Sequence, residues 1–179
     1  MSARAVLATI VAAAAAAGTA AADAAAPLRV IQGDRTVGGL RIADATLADA
    51  RARFGAPTAT RREPPYGCVA TWRALGLTLF FLELSDRNAC TVGVALRATV
   101  TSRGAWRTSK GLRKGDSIAR LRLLYPGARH RSGFGPWTGY WLVTRRSCEL
   151  GGFQPYPGLL ARVRNGRVSA LVAGTVACE

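Results

Sequence analysis

Thr46-Leu47-Ala48-Asp49-Ala50-Arg51-Ala52-Arg53-Phe54-Gly55-Ala56-Pro57 is answered further along the chain by Ser117-Ile118-Ala119-Arg120-Leu121-Arg122-Leu123-Leu124-Tyr125-Pro126-Gly127. Laying Thr46 on Ser117 puts Leu47 on Ile118, Ala50 on Leu121 and Phe54 on Tyr125. Those positions are i, i+3 and i+7, one apolar stripe of a short helix. Thr46 with Asp49 has the spacing of a capping pair, and Ser117 can cap the second helix. Each pattern stops at an aromatic residue followed by Gly and Pro. Gly38-Gly39-Leu40-Arg41 precedes the first stretch and Lys110-Gly111-Leu112-Arg113 the second. The spacing is that of a duplicated unit of about 70 residues.

Strand-like sequence follows each helix. In the first half, residues 69–72, 77–84 and 91–100 are rich in apolar and β-branched types; in the second, 140–145, 159–164 and 167–173 are. Asn165-Gly166 between the last two is a strong hairpin signal. The expected fold class is therefore α+β: two tandem repeats, each a short helix packed on an antiparallel β-meander, forming one compact domain. Expected boundaries are an N-terminal segment over 25–37, repeats over 38–100 and 110–179, and a linker over 101–109. One helix covers one face of such a sheet, so the other meets solvent, the second half or a partner. Trp72 and Phe80 or Phe81 are expected in the core.

The pattern of Gly-Leu-Arg, a capped helix ending in Phe-Gly-x-Pro or Tyr-Pro-Gly, then a meander resembles the tandem-repeat β-lactamase-inhibitor-protein-like fold, which is shared with small lipoproteins of the outer-membrane barrel-assembly machinery. The resemblance spans residues 38–100 and 110–173. It implies two helix-plus-sheet repeats whose sheets form a concave surface that binds another protein. The lipobox cysteine of the lipoproteins has no counterpart here.

The chain opens with Arg4, an uncharged run from Ala5 to Ala22, and Ala22-Asp23-Ala24, an A-x-A cleavage site. This is the layout of a secretory signal over residues 1–24, too short in its apolar part to span a bilayer. A disordered alanine-rich arm or a retained anchor is the plainer alternative. Export makes the four cysteines disulfide candidates. Of three possible pairings, Cys68–Cys90 and Cys148–Cys178 close loops within each half. A zinc site is disfavoured, because no finger-like spacing exists and His130, the one histidine, is remote.

The net charge is +15, and of 25 basic residues all but Lys110 and Lys114 are arginine. The preference for Arg over Lys fits a GC-rich genome; the excess charge itself favours anionic partners, whether acidic wall polymers, anionic lipid surfaces, acidic protein faces or nucleic acid. A simply solvated basic surface is the alternative. Little supports catalysis. His130 sits between Arg129 and Arg131, no G-x-S-x-G surrounds a serine, and Asp44, Asp49 and Asp116 stand at helix starts. Glu83 and Asp86 end a strand and enter a turn. No phosphate-binding loop, dinucleotide fingerprint or calcium loop occurs, so no cofactor or metal is expected.

One cluster stands out: Phe134-Gly135-Pro136-Trp137-Thr138-Gly139-Tyr140-Trp141, flanked by Arg129, Arg131, Arg145 and Arg146, with Phe153 and Tyr156 close in sequence. Trp, Tyr and Arg anchor protein interfaces, and the same mixture stacks sugar rings or bases. The expected binding set is Arg129, Arg131, Trp137, Tyr140, Trp141, Arg145 and Arg146; the plainer reading puts Tyr140 or Trp141 in the core. The sequence thus points to an exported, monomeric, non-enzymatic binding module for an envelope protein or an acidic polymer. A wall-active hydrolase with an unrecognised carboxylate, or an extracellular nucleic-acid binder, is the alternative.

Overall fold

The computed structural model describes residues 29–33, 35–85, 87–101, 106–132, 135–146 and 155–175. The expected signal over 1–24, Phe134, Phe153 and the expected Cys148–Cys178 bridge lie outside them. Three short strands, β1 (Val30–Gln32), β2 (Thr36–Val37) and β3 (Leu40–Arg41), lead into helix α1 (Leu47–Phe54). Then come β4 (Ala59–Glu63), β5 (Gly67–Trp72), β6 (Leu77–Leu82), β7 (Val94–Val100) and β8 (Arg107–Thr108). Helix α2 (Ile118–Leu124) precedes β9 (Arg129–Arg131), β10 (Gly139–Arg146), β11 (Pro155–Arg164) and β12 (Arg167–Gly174).

The helices form where the local chemistry closes their ends. The Thr46 hydroxyl accepts from the Asp49 N–H, and the Asp49 carboxylate accepts from the Thr46 N–H at 2.8 Å, a reciprocal box. Gly55 then ends α1 at φ 79°, a conformation that favours glycine. Ser117 caps α2 by accepting from the Arg120 N–H at 3.1 Å.

Eight strands make one continuous antiparallel sheet in the order β4-β5-β6-β7-β12-β11-β10-β9. Each helix is thus followed by four strands, and the two sets run in opposite order from a central seam between β7 and β12. Val100 pairs with Leu171 there, and Ala98 with Ala173. A second, four-stranded sheet has the order β3-β2-β1-β8, with β1 parallel to β8.

These sheets correct the expected fold class. The chain is mostly β, with one large sheet shared by both halves, not α+β with a helix covering each of two meanders. The helices are too small for that task. α1 buries Leu47 and Ala50 and α2 buries Leu121, so each offers one or two core side chains. The small sheet completes the cover, contributing Ile31, Val37 and Leu40 to the core. It also recruits Arg107–Thr108 from the stretch expected to be a linker.

Period-two alternation sets the two faces of the large sheet. Cys68, Ala70 and Trp72 on β5, Leu79 and Phe81 on β6, Ala98 and Val100 on β7, and Leu171 on β12 face the helices and small sheet. Phe54 meets the rings of Trp72 and Trp106 edge-on at 5.9 and 6.2 Å. Trp106 is buried and donates its indole N–H to the Leu75 carbonyl at 2.8 Å, so burial leaves no polar atom unmatched. Cys68 is bonded to Cys90 as expected, with Cα atoms 5.2 Å apart, fastening β5 to the turn before β7. No helix among the described residues is long and apolar enough to cross a membrane.

Candidate functional site

The second face of the large sheet carries the cluster found in the sequence, rearranged by strand register. Gly139 pairs with Arg131 and Trp141 with Arg129 across β10 and β9, so both arginines share a face with Trp141. The Arg131 guanidinium lies 5.5 Å from the centre of the Trp141 ring, within cation–π range. Trp141 itself is buried, as the plainer reading of the sequence had it for one of the two rings: it packs on Leu160 and Val172 and donates its indole N–H to the Trp137 carbonyl at 2.9 Å. Trp137 closes a 3-10 turn, Gly135–Trp137, laid over this face.

The position of that turn depends on Gly174. A side chain at residue 174 would run into the Trp137 ring and stand 3.0 Å from the Leu96 carbonyl. The ring therefore rests directly on β12 backbone.

Of the expected set, Arg129, Arg131, Trp137 and Trp141 come together. Tyr140 points the other way. It packs against the core and meets the His130 ring at 5.1 Å. Arg145 and Arg146 continue along β10, pairing with Tyr156 and Pro155; Arg145 is roughly 14 Å along the strand from Trp141. Four of the seven expected residues thus come together: Tyr140 is turned away because neighbours in a strand face opposite ways, and Arg145 and Arg146 lie further along β10.

Three further side chains belong to the same face. Phe80 pairs with Arg97 across β6 and β7, on the side opposite Phe81, and the Arg97 guanidinium lies 5.0 Å from the Phe80 ring centre. It is also 5.9 Å from the Trp137 ring centre. Arg162 on β11 donates to the Pro136 carbonyl at 2.8 Å. Arg97 is half-buried, and that burial holds its pKa below the ordinary arginine value; Arg162 adds to the depression and Glu63 opposes it. An arginine nevertheless stays charged in the accessible pH range. A signal for Arg97 did exist: it is the one charged residue in the apolar run Val94–Val100.

The acidic side chains among the described residues are engaged locally. Asp44 pairs with Arg41 at 2.7 Å, and Glu63 with Arg61 at 3.2 Å. The Asp116 carboxylate accepts from the Arg113 N–H at 2.8 Å, and Glu83 accepts from Ser85 and Arg87. His130 is exposed on an edge strand. Among the described residues no three His, Cys, Asp or Glu side chains gather into a metal-binding group. A second cationic surface, an open cleft of about 730 Å³, is lined by Arg107, Lys110, Arg113 and Arg120 but by no aromatic side chain.

Comparison of the chain with protein-family models, curated proteins and solved structures finds no match in any of the three.

Proposed function

We propose that the protein is an exported, non-enzymatic binding module that recognises an acidic protein partner through the second face of its eight-stranded sheet. The observation that carries this reading is the co-facial set of Trp137, Arg97, Arg129, Arg131 and Arg162, seated on the buried Trp141. Aromatic and arginine anchors on a preformed surface are the residue types that dominate interface energies. The charge excess speeds encounter with an acidic face and makes binding sensitive to salt. The Cys68–Cys90 bond suits an oxidising compartment. The resemblance to the inhibitor-protein family supports a sheet face rather than a cleft as the binding element. A monomer fits the edges: β4 holds Arg61 and Arg62 and β9 holds Arg129 and Arg131, all exposed. Charged edge strands resist pairing with a second copy.

The test is retention on immobilised poly-L-glutamate at about 0.15 M salt. The wild-type protein is expected to bind and to elute as salt rises, and the R129E/R131E double variant to pass through. Retention unchanged in that variant would overturn the proposal. Retention lost instead on reversing Arg107 and Arg113 would move the site to the cleft and favour an acidic polymer.

A further inference from the structure

Arg97 poses a question that the rest of the face does not. A guanidinium presents five N–H donors in a fixed fork, and burying them without acceptors costs free energy. Among the described residues Arg97 forms no ion pair and no hydrogen bond through its side chain; its neighbours are the rings of Phe80 and Trp137. Glu63, whose charge acts on Arg97, is engaged by Arg61 at 3.2 Å. The ring faces offset part of the cost through cation–π attraction. They offer the in-plane donors no acceptor of their own, in a half-buried setting where a charged acceptor is held more strongly than in open water.

Arg162 borders the same place. Its guanidinium is fixed by the Pro136 carbonyl, one residue before Trp137, so the two cations flank one turn. Arg162 repels Arg97, and Glu63 offsets only part of that repulsion. The turn is itself held down by the close fit of Trp137 over Gly174. The result is a half-buried, doubly cationic site bordered by two aromatic rings.

We propose that Arg97 and Arg162, walled by Phe80 and Trp137, form a slot for a single carboxylate side chain presented by an acidic polypeptide segment. This rests on the proposed use of the sheet face and names the chemistry at its centre. A carboxylate meets the Arg97 fork with two parallel N–H···O bonds, while its aliphatic stem lies against the rings. A phosphodiester or sulfated polymer is served instead by exposed cations spaced along a track, which a half-buried guanidinium between rings does not provide.

The experiment measures affinity of the disulfide-intact protein for poly-L-glutamate and, separately, for heparin, by fluorescence anisotropy. Arg97→Met keeps the stem that packs on Phe80 and removes the fork. It is expected to weaken poly-L-glutamate binding about tenfold and to change heparin binding less than about twofold. Arg97→Lys keeps the charge without the planar fork and is expected to lose about threefold for poly-L-glutamate. It carries the test if the Met variant does not fold. Unchanged poly-L-glutamate affinity in a folded variant overturns the slot, and so does an equal loss for both probes, which would mark a general polyanion surface. If R129E/R131E weakens binding while the Arg97 variants do not, the slot falls and the face stands. If neither matters, both fall.

Discussion

Replacing Gly174 by alanine tests whether Trp137 is truly seated on the sheet, the condition on which the geometry of the face depends. The added Cβ would overlap the Trp137 ring, meeting Cζ3 at 2.8 Å, and would sit 3.0 Å from the Leu96 carbonyl. Backbone on one side cannot move cheaply, so the ring must lift. Overpacking of this kind costs about 2 kcal/mol. Removing the ring by Trp137→Ala forfeits its packing on Trp141, Leu160 and Val172; for a half-buried tryptophan this is about 2 kcal/mol, half the fully buried figure. With the ring gone, Gly174→Ala retains only the Leu96 contact, at a cost of about 0.5 kcal/mol. The double-mutant cycle therefore predicts a coupling of about 1.5 kcal/mol, read from urea unfolding of the four proteins. Additivity within about 0.3 kcal/mol would show that the ring does not rest on Gly174 and would refute the reasoning.

Three other outcomes follow from the fold. Replacing Cys68 and Cys90 together by serine reopens a loop with a sequence separation of 22 and should lower stability by about 3 kcal/mol in denaturant melts; a loss below about 1 kcal/mol would contradict the loop-closure account. Trp106→Ala empties a fully buried site and orphans the Leu75 carbonyl, for an expected loss of about 4 kcal/mol by the same measurement. Hydrogen bonds from Thr46 hold the Asp49 carboxyl below its ordinary value of 3.8. The folded pKa is the lower one, so this contribution is complete above 3.8 and disappears as pH falls through the folded value. Asp49→Asn should thus destabilise the protein at pH 6 but lose that difference progressively as the pH falls below 3.8, and a pH-independent difference would count against the cap.

Local features were the legible part of the fold. The two caps, the Cys68–Cys90 pair and the Asn165-Gly166 turn each depend on residues near in sequence, and each stands where the sequence placed it. What failed was long-range. Nothing in Ala98 or Ala173 announces that they meet across β7 and β12, yet that seam turns two expected meanders into one sheet. β4, Ala-Thr-Arg-Arg-Glu, and β9, Arg-His-Arg, carry no apolar alternation because they are exposed edges. Trp106 lies in a stretch expected to be a linker, but it fills the core beside Phe54. At the site, the Trp137–Trp141 segment was found by composition alone. Its division into two faces, and the arrival of Phe80, Arg97 and Arg162 from other strands, required the register.

The central claim is that recognition belongs to one face of the sheet and not to the overall charge. Two double variants with the same net charge separate these: R129E/R131E on the sheet face, and R51E/R122E on the exposed sides of α1 and α2. Affinity for poly-L-glutamate at about 0.15 M salt is the measurement. The account predicts about a tenfold loss for the first pair and less than about threefold for the second. Equal losses in both would contradict it.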